Sequence, residues 1–247
     1  MRSLTLALAV LAFVAAPAVA DWDVGDPYKM HYPQLPDPTG WDVDITQGFV
    51  GDDFLCMQSG PITDIHFWAS WQGDLDGGID GVWAQIWSDV PAGHDENPLV
   101  TWSHPGERLW DNIFWADASS FTVRQYGIPS PQGYYNPHPD AYVLPGDHLQ
   151  TIQVNIDQID NPFYQEEGTI YWLALHVVPA QNGTYCGWKT SQDKFGDDAA
   201  WELMQDWNEL RDPLSFASLD MAFVITPEPA TLCLLAFGGL AILKRRR

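Results

Sequence analysis

Three acids in one short glycine-rich run are the first residues in this chain that could do chemistry. Residues 73–80 read Gly-Asp-Leu-Asp-Gly-Gly-Ile-Asp. Asp74, Asp76 and Asp80 supply hard oxygen ligands, and the glycines let the backbone turn and offer carbonyls. Calcium takes six to eight oxygens from such a loop, so calcium is the cofactor these acids would hold. The run departs from the EF-hand pattern, since Gly78 stands where a third ligand belongs and no glutamate closes the loop. The same residues also read as an acidic hairpin turn.

Trp83 and Trp87 are the second candidates. On a strand, residues i and i+4 share a face and lie about 13 Å apart. If that face points outward, two indoles at this spacing can stack on alternate sugar units of a polysaccharide. The alternative is core filling. Cys56 and Cys186 are the two cysteines between residues 21 and 226. In an oxidising compartment they can form one disulfide or stay as two buried thiols. Neither has a partner at zinc-binding spacing.

Other chemistry has little support. The seven histidines are scattered, without HxH or HExxH spacing, and no GxSxG elbow or phosphate-binding loop is present. Carboxylates are plentiful, but no pair is singled out as a glycosidase acid and nucleophile. The reading is therefore of a protein that is not an enzyme, with a glycoside hydrolase least favoured.

The elements that would carry these residues read as strands. Residues 62–71 and 81–90, joined by the Gly/Asp loop, read as a hairpin. Residues 149–157 alternate: Ile152, Val154 and Ile156 on one face, Thr151, Gln153 and Asn155 on the other, as in a half-buried antiparallel strand. Residues 168–179 are apolar on both faces and read as a central strand. Residues 99–103, 120–125, 184–191 and 217–226 are further strand candidates, and 197–204 is the one plausible helical piece. Residues 21–40 read as an extended lead-in pinned by Trp22, Tyr28 and Tyr32. Many short strands predict an all-β fold, a single antiparallel β-sandwich of jelly-roll type.

Of 33 acidic residues only Glu228 lies outside residues 21–226, and six of 11 basic residues lie inside, so this segment carries a net charge of about −26. Such a field repels nucleic acid and argues against a nucleic-acid partner. The chain holds 13 tryptophans, all within this segment, which excludes an acidic disordered chain.

Both ends read as export signals. Arg2, an apolar stretch over residues 4–14 and Ala18-Val19-Ala20 form a signal peptide over residues 1–20, with Asp21 as the first mature residue. At the other end Pro227-Glu228-Pro229 precedes an apolar run over residues 230–243 and then Lys244-Arg245-Arg246-Arg247. At about 1.5 Å per residue the run reaches roughly 21 Å, short of a ~30 Å bilayer core, but its cationic end and flanking prolines favour a short transmembrane helix. Residues 227–247 resemble the PEP-CTERM sorting signal of Gram-negative bacteria. The resemblance implies an exosortase-type enzyme as partner, membrane contact through the helix before processing, and delivery to the cell surface or the exopolysaccharide matrix. Residues 26–31, 35–42, 59–68, 187–191 and 207–210 also resemble a family of uncharacterised extracellular domains from planctomycete-type proteins carrying the same tail. That likeness implies one intact domain over residues 21–226 and assigns no catalytic residues. The expectation is an exported surface or matrix protein with a structural or interaction role. The alternative is a polysaccharide-binding module, assisted by calcium.

Overall fold

Alternating apolar residues decide which side of each strand turns inward, and here they build two open sheets on one shared core. The computed structural model describes residues 21–226, apart from residues 119, 128, 129, 158 and 205. The signal-peptide residues, the sorting motif, the apolar run and the closing arginines lie outside the described residues.

Among the described residues seventeen strands follow in chain order. They are β1 (Trp41–Asp44), β2 (Val50–Leu55), β3 (Gly60–Pro61), β4 (Asp64–Trp71), β5 (Ile79–Val90), β6 (His104–Trp115), β7 (Phe121–Gln125), β8 (Gln132–Asn136) and β9 (Ala141–His148). Then come β10 (Ile152–Ile156), β11 (Tyr164–Gln165), β12 (Ile170–Pro179), β13 (Cys186–Ser191), β14 (Ala200–Leu203), β15 (Asp206–Glu209), β16 (Asp220–Met221) and β17 (Phe223–Thr226). No α-helix occurs among the described residues, so the all-β expectation holds.

The nine-stranded sheet runs β7-β10-β4-β13-β1-β8-β9, with β16 added to β13 and β17 added to β4. The six-stranded sheet runs β15-β14-β2-β12-β5-β6, and β11 with β3 makes a small ribbon. The pairing is antiparallel except for β1 with β8, which run parallel, so the expected wholly antiparallel arrangement is corrected. The inner faces interleave: Val43, Ile65, Phe67, Val154 and Trp188 from the larger sheet share one apolar cluster with Phe54, Val82, Ile86, Leu173 and Leu175 from the smaller. Phe54 and Phe223 meet across it edge to face, 6.0 Å between ring centres.

Three local expectations are corrected. The 62–71 and 81–90 runs do not form a hairpin, because β4 belongs to the larger sheet and β5 to the smaller. The Gly/Asp loop is a crossover between sheets. The helix expected near 197–204 is instead the strand β14, paired to β2 and β15. β10 alternates as expected, but its polar side is not solvated: Gln153 and Asn155 are fully buried. The lead-in covers them. Gln153 Nε2 donates to the Trp22 carbonyl at 2.8 Å, Asn155 Nδ2 donates to Asp21 at 2.9 Å, and Trp22 packs edge-on to Trp68. Trp22 pins the lead-in as expected, and Tyr32 does so through its hydroxyl, which donates to the Lys194 carbonyl; Tyr28 is exposed, and Met30 is a further buried anchor.

Candidate functional site

β5 sends Val82, Ala84 and Ile86 into the shared core and turns Trp83, Gln85 and Trp87 to the opposite face. Trp83 and Trp87 stay half-buried there. Their neighbours on β12 are His176 and Trp172. Phe49 packs edge-on to Trp83, ring centres 5.1 Å apart.

This face is concave. In a flat sheet β15 would lie four strands from β5, about 19 Å away. Instead the Trp207 ring of β15 meets the Trp87 ring with centres 5.5 Å apart, and the two edge strands β15 and β6 approach each other. The sheet curls until Trp207 lies over Gly51 of β2, where a side chain would come against the indole. Arg108 stands over the Trp87 ring at 5.9 Å. Burial raises the Glu202 carboxyl on the same face, with Arg108 opposing. The Trp87 indole donates to Gln85 Oε1 at 2.9 Å, while the Trp83 indole N–H has no acceptor among the described residues. Beyond Trp87 a cavity of about 420 Å³ opens between Ser88, Asp89 and the start of β12. Half-exposed indoles beside an amide, a carboxylate and a guanidinium can stack on a sugar ring and exchange hydrogen bonds with its hydroxyls.

The outer face of the larger sheet has the opposite character. Asp42 of β1 and Lys189 of β13 sit directly across from each other, and both side chains are fully buried. Lys189 Nζ donates to Asp42 Oδ2 at 3.0 Å and to the Gly40 carbonyl at 3.0 Å. His148 Nε2 reaches the same Asp42 oxygen at 2.9 Å, and its Nδ1 reaches Asp147 at 2.9 Å. With a carboxylate at each ring nitrogen, the site favours the doubly protonated ring, in which both nitrogens donate. Burial alone would lower its pKa, but the bonds to Asp42 and Asp147 raise it. Burial likewise opposes the charge on Asp42, yet Lys189 and His148 hold its carboxyl below the usual range.

A second buried group is short of cations. Asp52 accepts from Gln34 Nε2 and from the Met221 amide at 2.8 and 2.7 Å. Asp220 takes Lys194 Nζ at 3.0 Å and the Phe195 amide at 2.8 Å. Asp53 presses against Gly196, where a Cβ would stand 2.1 Å from its Oδ2 and where φ is +63°. Burial, then the charges of Asp220, Asp89 and Asp197, push Asp53 up to about 9. Burial with Asp220 and Asp53 also pushes Asp52 well up.

The sequence candidates fall as follows. Asp74 accepts the Leu149 and Gln150 amides at 3.1 and 2.9 Å, which ties the crossover to the β9–β10 connection. Asp76 accepts the Gly78 amide at 2.9 Å, and Asp80 is exposed. The three do not converge. Among the described residues, the three acids that do come within reach of one cation are Asp197, Asp198 and Glu209. Arg211 already pairs with two of them, at 2.7 Å each. Cys56 and Cys186 are free and buried, so of the two readings the structure holds separate thiols. Burial pushes both thiols up, Cys186 the further. Trp68 and Trp71 fill core, on the sheet opposite Trp83 and Trp87. Sequence reasoning missed Trp207, Arg108 and Glu202. Only the curl of the sheet brings them to Trp87, and no local pattern carries that signal.

Comparison with known proteins adds two matches. Residues 226–247 match the PEP-CTERM protein-sorting motif, which marks an exported, surface-directed protein handled by an exosortase-type enzyme. Neither the curated proteins nor the solved structures gave a match. Residues 30–226 match the Domain of unknown function (DUF7901), and the chain belongs to that family.

Proposed function

We propose that this protein works at the cell surface or in its matrix without catalysis, and that it binds polysaccharide along the concave face of its six-stranded sheet. One observation supports the reading above others. Trp83 and Trp87 stay only partly buried while the alternate residues of the same strand are fully buried. A strand that only filled a core would leave no such pair of indoles beside Gln85, Arg108 and Glu202. Neutral or cationic glycans suit the acidic surface better than anionic ones, which the net charge repels. The sorting tail, held by a membrane helix until an exosortase-type enzyme acts, would deliver this face to a polysaccharide-rich environment. Calcium would assist by drawing Asp74, Asp76 and Asp80 together around it, at the crossover that leads into β5.

The test is co-sedimentation of the full chain with a panel of insoluble polysaccharides, including the host's own matrix, in calcium and in chelator. Pelleting with at least one glycan, abolished by Trp83→Ala or Trp87→Ala, is the expected result. Failure to pellet with any glycan in either buffer would remove this reading. Pelleting that persists in chelator would remove the role for calcium.

A further inference from the structure

Lys189, Asp42 and His148 form a closed set of nucleophile, carboxyl carbon and proton donor that the surface function does not use. The lysine and aspartate are cross-strand partners on β13 and β1. Their side chains and that of His148 have no exposure to solvent. The surroundings are tight: a Cβ on Gly187 would lie 2.8 Å from the Asp42 Cβ and 2.9 Å from the Tyr134 ring. Asp42 Oδ2 receives both Lys189 Nζ and His148 Nε2, whereas Asp42 Oδ1 is buried with no donor among the described residues. A carboxylate oxygen left without a donor in a dry interior carries a desolvation cost, and the carbonyl of a neutral amide carries a smaller one.

We propose that Lys189 and Asp42 join in an intramolecular amide bond, formed by the folded chain itself, that ties β13 covalently to β1. The bond forms between Lys189 Nζ and Asp42 Cγ, and the Cγ–Oδ2 bond breaks. The ammonium passes one proton to Oδ2 across the 3.0 Å contact, which leaves a neutral amine facing a neutral acid. This is the uphill step, because the neighbouring cations favour the ionised carboxylate. The amine lone pair then attacks Cγ. His148 Nε2 gives its proton to the departing Oδ2 and regains one from the new nitrogen. Oδ2 leaves as water, with both protons drawn in sum from the ammonium, and one N–H remains on the amide. Atoms and charge balance with no oxidant and no co-reactant. Asp147 holds the imidazolium in place through Nδ1, and Oδ1 becomes the amide carbonyl. Burial of all the reacting groups excludes the bulk water that would otherwise solvate the ion pair and stop the reaction. For an exported protein, a covalent tie between neighbouring strands resists unfolding where no chaperone acts.

The experiment is peptide mapping by mass spectrometry of the full chain, purified, denatured and digested with trypsin. The expected product is a branched peptide joining the Asp42 and Lys189 segments, lighter than their sum by one water, with no cleavage after Lys189. Asp42→Ala and Lys189→Met should lose the branched peptide entirely. His148→Gln, which keeps the reacting pair, should lower the linked fraction. Recovery of the two segments only as linear peptides, with normal cleavage after Lys189, would overturn the proposal and leave an ion pair. A linked fraction in His148→Gln equal to wild type would overturn the proton-donor role of the histidine.

Discussion

The two sheets turn their backs to solvent in different ways. Behind the nine-stranded sheet the chain covers its own polar residues. Trp22 and the lead-in close over Gln153 and Asn155, and Arg124 fastens the cover by donating to the Trp22 carbonyl at 2.6 Å and to Asp23 at 2.7 Å. Asp42, Lys189 and His148 balance one another's charge there. Behind the six-stranded sheet the edges curl inward but leave Trp83, Trp87 and Trp207 only partly buried. A face closed by its own chain with its polar groups paired contributes stability. A face left open with aromatic rings on it has surface still to bury, which is what a ligand needs.

The sharpest way to break the comparison is to unbalance the closed face. Lys189→Met removes both the proposed strand-to-strand bond and the cation beside the buried Asp42 carboxyl, and about 3–5 kcal/mol of stability should be lost. Urea unfolding followed by far-ultraviolet circular dichroism measures it. A loss below about 1 kcal/mol would mean that the closed face is not held by its charges.

The next largest effect is one of pH. Asp53 titrates near 9 when folded and near ~3.9 when unfolded. The folded state therefore holds this proton more tightly. Its contribution is complete below about pH 4 and is lost as pH rises toward 9, with a limiting slope of ~1.4 kcal/mol per pH unit. In chains where Asp42 is not joined to Lys189 it runs the other way: its carboxyl is held low, so its contribution is present above its unfolded pKa and lost on acidification. Stability should accordingly fall toward alkaline pH in wild type, and Asp53→Asn should flatten that fall. An unchanged slope in the variant would assign the alkaline loss to another group.

Removing the clasp is a smaller perturbation. Arg124→Ala strips two charge-assisted bonds from the lead-in and should cost about 1.5–3 kcal/mol. Faster amide exchange should be confined to β7, β10 and residues 21–26. Exchange that stays slow there would show that Trp22 holds the cover without the arginine. Asp74→Ala is milder still. It frees the Leu149 and Gln150 amides at the surface and should cost about 1 kcal/mol by the same unfolding assay. A much larger loss at raised calcium, absent in chelator, would point to an ion at that loop.

The fold was partly legible in the chain. β10, β12 and β17 follow from their apolar periods, since period is local information. β6 was missed because residues 104–115 mix charges and a proline with five apolar side chains, as suits an edge strand exposed along much of its length. The sheet to which β4 and β5 belong was misjudged because pairing is non-local, and the short Gly/Asp loop serves a crossover as well as a hairpin. The buried state of Gln153 and Asn155 could not be read from β10 alone, because the residues that cover them lie more than a hundred positions earlier. Trp83 and Trp87 were legible as a pair on one face. Trp207 was not, because its approach depends on the curl of a sheet assembled from distant segments.

The proposed binding face is tested most directly by measuring glycan affinity side by side in wild type, Trp87→Ala and Arg124→Ala, using the polysaccharide that pellets the wild type best. The account expects Trp87→Ala to lose at least tenfold in affinity, about 1.4 kcal/mol, while Arg124→Ala on the closed face binds as wild type does. Equal binding by Trp87→Ala and wild type, or a loss confined to Arg124→Ala, would contradict it and move the interaction surface to the other sheet.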